Sequence, residues 1–145
     1  MLICITQLGV AQKNGLMYDS TYMSKDFIRP DQVLLITVPA KTKRWVKEID
    51  EAFAGFKGKY EICDIIDVSP FDQAKVDERY PDKKKYAFLL VIQQDWGANN
   101  LPSGVLAILF DRRNKLLENF GRGKTSTKTL EFVAGILIAK AASAL

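Results

Sequence analysis

The chain has 145 residues, 48% of them hydrophobic, and its 21 basic and 17 acidic residues leave a formal charge of +4 spread along the sequence. That length and apolar content suit one core and exclude a second, and the mixed charge lacks the clustered basic face of a nucleic-acid binder. The lack of histidine excludes histidine-dependent triads and removes the commonest metal ligand, while Cys4 and Cys63, with no CxxC pair, exclude a dithiol redox motif.

Residues 1–11 (MLICITQLGVA) are apolar and uncharged and end in Gly9, Val10 and Ala11 ahead of a polar stretch, a spacing of small residues that signal peptidase accepts. The segment reads as a signal-peptide remnant, with an edge strand or amino-terminal helix as the alternative; Leu2 and Ile3 form a poor lipobox before Cys4. Residues 12–31 then read as a loose amino-terminal segment and 32–145 as a single α/β domain.

The run 32–38 (QVLLITV), ended by Pro39, predicts a buried strand. Trp45, Val46, Ile49, Ala52, Phe53 and Phe56 fall at helical spacing opposite Lys43, Lys47, Glu48, Asp50 and Glu51, so an amphipathic helix is expected, anchored in the core by Trp45 and stopped at Gly55 and Gly58. Residues 60–68 predict a strand with Cys63 as a small buried side chain, and 71–79 a short helix after Ser69 and Pro70. Lys83, Lys84 and Lys85 read as solvated gatekeepers, with an anionic-ligand patch as the alternative, before 86–92 (YAFLLVI), seven residues without a charge that predict a central strand buried on both faces. A polar loop, 93–104, leads to an alternating hairpin, 105–110 and 115–120, turning through Asp111, Arg112, Arg113 and Asn114. An apolar helix runs from 127 to the end. The expected architecture is an α/β sandwich, a mixed sheet of about five strands in the order β-α-β-(α)-β-β-β-α with helices packed on it.

Three groups of residues invite a chemical reading. Gly121, Gly123, Lys124 and Thr125 lie between a predicted strand and a helix, as in a phosphate-binding loop, but the glycine that the full motif needs is replaced by Glu118, whose carboxylate repels phosphate. Helix capping by Thr125, Ser126 or Thr127 explains the same residues structurally. Asp64, Asp67 and Asp72 could form a carboxylate site, yet on a strand Asp64 and Asp67 would face opposite sides, and no metal is expected. Asp95, Trp96, Asn99 and Asn100 form the best candidate working surface, because a tryptophan in a polar loop is harder to bury than one at helical spacing; Tyr18 and Tyr22 could join it, and the structural alternative folds Trp96 back over the sheet edge.

The last helix carries two apolar stripes, one through Leu130, Val133, Leu137 and Ala141 and one through Phe132, Ile136 and Ala139. The second is expected either against the 45–56 helix or in a homo-oligomer contact. With Glu131 and Lys140 in its length, the stretch is too short and too charged to span a membrane.

As an ordered set, the segments VLLITVP, KRWVKEIDEAF, KYEICDIIDV, KKKYAFLLVIQ and GVLAILFDRRNKLLENF with the closing helix resemble the small α/β domain shared by the amino-terminal domain of TolB, the curli secretion component CsgG and the outer-membrane lipoproteins that activate penicillin-binding proteins. The resemblance lies in element order rather than in motifs. The chain departs from those families in its Lys-rich approach to the central strand and in a Pro-containing segment after the preceding one. It implies an envelope-associated interaction domain and transfers no site residue. The function expected is therefore that of a non-catalytic secreted or periplasmic domain binding another cell-envelope protein, with no cofactor and no nucleic acid. The alternative is a nucleotide or phosphate binder using the 121–125 loop.

Overall fold

A computed structural model describes residues 10–13, 16–19, 27–69, 72–96, 99, 101–113 and 116–144. The elements are β1 (Val10–Lys13), β2 (Leu16–Asp19), β3 (Val33–Thr37), α1 (Lys43–Ala52), β4 (Lys59–Ile62), α2 (Ala74–Arg79), β5 (Phe88–Trp96), β6 (Pro102–Asp111), β7 (Leu116–Gly123) and α3 (Ser126–Ala144). One mixed seven-stranded sheet has the order β1-β2-β7-β6-β5-β3-β4. β3 runs parallel to both β4 and β5, and every other pairing is antiparallel.

β5 lies between β3 and β6, an interior position that suits its apolar sequence: Phe88, Leu89, Leu90, Val91 and Ile92 are each at most 1% exposed. Side chains alternate across the strand, so Phe88, Leu90 and Ile92 join Leu34, Ile36, Ile49, Phe53 and the α3 stripe of Leu130, Val133, Leu137 and Ala141 on one face. Leu89 and Val91 join Leu35, Cys63, Val68, Val76 and Tyr80 on the other. Helices α1 and α3 therefore share one face, while α2 and the 63–69 loop cover part of the opposite one. Each fully buried leucine of these clusters contributes roughly 1.5–3 kcal/mol of transfer free energy.

Several expectations are corrected. Among the described residues the sheet has seven strands rather than about five, because residues 10–13 and 16–19, placed by the sequence in a leader end and a loose segment, form a hairpin that joins the sheet where Leu16 pairs with Gly121. The segment before β3 is not loose at its end either: Phe27 and Ile28 are buried, and the Phe27 ring meets Phe88 edge-on at 4.8 Å. Ile28 holds a φ of 37°, a region that β-branched residues avoid. Gly58 is what allows it to sit there, since a Cβ on Gly58 would stand 2.6 Å from the Ile28 Cγ2. The strand expected over 60–68 ends at Ile62; Asp67 has a φ of 52°, which cannot continue a strand, and its N–H reaches back to the Val38 carbonyl at 3.1 Å. Helix α1 stops at Ala52, before the expected Gly55, and begins with the Thr42 hydroxyl accepting from the Trp45 N–H.

The α3 stripes are divided differently from expectation. The flank turned toward α1 is that of Ile138, whose Cδ1 lies beside Gly55, and of Glu131, which lines a cavity with Glu48 and Ala52. At 100° per residue, Phe132 and Ile136 lie on the other flank, half-buried against the core.

Candidate functional site

The three parallel strands point their carboxyl ends the same way, and in open α/β sheets that end is where loops carry function. Residues 38–42 after β3, 63–69 after β4 and the β5–β6 connection all meet there. The Gln93 amide of β5 ties the 63–69 segment to this end by donating to the Val68 carbonyl at 2.8 Å, and the Gln94 amide braces the β5–β6 pair at the Gly104 carbonyl, 2.7 Å away.

Within this end, Asp64 is held by two cations. Lys41 Nζ lies 3.0 Å from one carboxylate oxygen and Arg79 Nη2 lies 2.9 Å from the other. Those two hydrogen bonds, and the positive charges behind them, hold the Asp64 carboxyl below its ordinary range. A carboxylate so engaged is a weak base and a poor proton donor at neutral pH, so the cluster joins the β3–α1 loop to α2 rather than moving protons. The stabilisation it supplies is present above the unfolded carboxylate pKa and is lost as pH falls through the lowered folded value. Denaturation midpoints of wild type and Asp64→Asn are therefore expected to differ at pH 7 and to converge at strongly acidic pH. High salt should also narrow the gap, because the pair is half-exposed.

The other carboxylates lie elsewhere. Asp67 and Asp72 line a cavity of about 300 Å³ with Ile66, Lys75 and Val76, and Asp72 accepts from the Ala74 N–H at the start of α2. The three acids thus do not converge, and among the described residues no three His, Cys, Asp or Glu side chains gather as a metal site. Cys63 is fully buried, and burial pushes its thiol pKa up, which disfavours the nucleophilic thiolate. Burial also raises the Tyr80 phenol to about 12 and the Tyr60 phenol to about 12, the latter helped by its hydrogen bond to Asp50.

The predicted phosphate loop takes another form. Gly121 and Gly123 are strand residues of β7, paired with Ala107 and Val105, so only Lys124 and Thr125 connect strand to helix. The Thr125 hydroxyl is spent on the Lys128 N–H at 3.2 Å, and the Glu48 carboxylate stands at the first turn of α3, 3.4 Å from the Thr127 hydroxyl. A negative group beside the helix start opposes an anion there.

Of the predicted working loop, Asp95 and Trp96 end β5, where the register shifts by one residue against β6. Their side chains, and all of Asn100, Tyr22 and the expected turn residue Asn114, lie outside what is described, as do those of Tyr18 on β2 and Glu118 on β7. Asn99 is exposed with a φ of 65°, a left-handed conformation that asparagine tolerates. Beside it Leu101 is 64% exposed, and across the same end of the sheet Ile66 is 46% exposed. Sequence reasoning missed both, because each stands in a segment taken for a strand or a polar loop on composition. The one usable signal was Leu101 itself, an apolar residue between Asn100 and Pro102.

No family model matches the chain, and no curated protein matches it in sequence. Among the described residues no helix is long and apolar enough to cross a membrane.

Proposed function

We propose that this chain is a non-catalytic interaction domain that binds another protein of the cell envelope through the carboxyl end of its sheet. The observation that carries the reading is the placement of Ile66 and Leu101: among the described residues they are the exposed large hydrophobics, and they stand on two loops at one end of the sheet. Single exposed apolar residues are ordinary on a protein surface. Two on loops held to one scaffold by the Gln93 and Gln94 amides make an anchor pair with a polar surround.

The compartment is supported by the element order that resembles envelope domains. The ionisable groups of this end serve one another: Asp64 is engaged by Lys41 and Arg79.

The test is cross-linked capture from envelope extract with the full-length chain as bait, wild type against Leu101→Glu and Ile66→Glu. One partner should be recovered by the wild type and lost by about tenfold or more in each variant, with thermal stability unchanged because both side chains are exposed. Recovery of the same partner by all three baits would remove this surface from the reading, and cytosolic fractionation of the natural gene product would remove the envelope.

A further inference from the structure

β4 is the last strand on its side of the sheet, and among the described residues nothing pairs with its outer edge. We infer that this edge is a self-association surface, on which a second copy of the chain adds its own β4 antiparallel across a two-fold axis at Tyr60, making one sheet continuous through both subunits. The inference concerns a different surface and partner from the one proposed above and stands independently of it.

Hydrogen-bond direction limits the possible registers. The Cys63 N–H donates to the Ile36 carbonyl, so the odd-numbered residues of this segment turn their backbone groups toward β3. The backbone groups of Gly58, Tyr60 and Ile62 therefore face outward. In an antiparallel ladder hydrogen-bonded residues pair with hydrogen-bonded residues, which leaves three two-fold registers. Centring on Lys59 opposes two lysines and centring on Glu61 opposes two glutamates, both unfavourable. Centring on Tyr60 places Lys59 opposite the copy's Glu61, twice, as a close non-hydrogen-bonded pair. Tyr60 then exchanges backbone hydrogen bonds with its own copy, and Ile62 with Gly58.

The side chains fit this register. Lys59 and Glu61 are both exposed and, being two residues apart, stand on one face. Glu61 accepts from the Tyr86 hydroxyl through a single oxygen, at 3.3 Å, which leaves the other for the partner's ammonium. A strand edge bearing charge of one sign is blunted against pairing, whereas this edge repels a shifted copy and accepts an aligned one.

The adjoining helix face supports the same partner. Along α1, on the side where Asp50 meets the Tyr60 hydroxyl at 2.9 Å, runs a shallow groove of about 650 Å³ lined by Lys43, Val46, Lys47, Asp50, Glu51 and Ala54 among others. With strands about 4.8 Å apart, a helix over the β3–β4 pair falls about 10 Å from its two-fold copy, the spacing of packed helices. The copies run antiparallel, so the lysine-bearing amino-terminal half of one groove lies along the acid-bearing carboxyl-terminal half of the other.

Sedimentation equilibrium on the full chain tests this. The wild type should show a monomer–dimer equilibrium; Lys59→Glu and Glu61→Lys should each raise the dissociation constant about tenfold or more, and the double swap should restore it. Circular dichroism should show all three folded, since both positions are exposed. Register is read by oxidation: a mixture of Lys59→Cys and Glu61→Cys chains should give a disulfide-linked dimer that neither variant gives alone, above the background set by Cys4 and Cys63. A wild type that stays monomeric, single variants that dimerise as the wild type does, a double swap without rescue, or cross-linking of either cysteine variant with itself would each overturn the inference.

Discussion

Replacing Arg112 by Ala is expected to cost about 3–5 kcal/mol of folding stability and to lower the melting temperature by roughly 10–20 °C. The residue stands in the β6–β7 turn, where a basic side chain is ordinarily solvated, yet its side chain is 1% exposed. Its guanidinium donates to the Tyr86 carbonyl at 2.8 Å, to the Tyr80 carbonyl at 2.6 Å and to the Asp77 carboxylate at 3.1 Å, while its backbone N–H meets the Ala87 carbonyl. One side chain thus joins the end of α2, the segment leading into β5 and the β6–β7 turn. Removing it leaves two carbonyls without their donor and a void between three elements, and each loss is costly in a buried setting. Lysine should recover only part, because a single ammonium cannot reproduce the planar fork that spans both carbonyls. Asp77→Asn should cost much less, about 1 kcal/mol, since Asp77 is half-exposed and the guanidinium keeps its two carbonyls. Chemical denaturation of the three variants checks the ranking, and an Arg112→Ala protein melting within about 2 °C of wild type would remove the residue from this role.

Phe27→Ala is expected to cost a further large amount, about 3–5 kcal/mol, as for other buried phenylalanines truncated to alanine. Phe27 is wholly buried, packs edge-on against Phe88 and belongs to the same cluster as Leu34, Leu90 and the α3 stripe. If the segment before β3 were only a tether, the same change would fall within about 0.5 kcal/mol of wild type. Equilibrium unfolding in urea separates the two outcomes. An intermediate loss with a lowered slope would point to a native state already loosened at that edge.

These two residues mark where the sequence was hard to interpret. Arg112 follows Asp111 and precedes Arg113 and Asn114, a polar tetrad typical of a solvated turn. Nothing local indicates that α2, about thirty residues earlier, will bring the Tyr80 carbonyl to it, as the hydrogen bonds show. Phe27 lies between charged residues, Asp26 and Arg29, without a period of two or of 3.6. The ring it packs on, Phe88, is remote in the chain. The candidate site was no more legible. Charge balance at Asp64 depends on Lys41 and Arg79, from different connections, and the exposure of Ile66 and Leu101 depends on what the sheet leaves uncovered.

What the amino-acid sequence determined by itself was local and periodic. The uncharged run 86–92 fits a strand covered on both faces, the apolar spacing from Trp45 to Phe56 fits one face of a helix, and the apolar tract from 127 onward fits a helix lying on a sheet. What only the tertiary structure decided, among the described residues, was the number of strands and their order, the point at which β4 stops and which polar groups are buried. Periodicity is a property of neighbours along the chain, whereas burial of Arg112, exposure of Leu101 and the position of β4 as the last described strand are set by segments that meet only after the chain has closed its sheet.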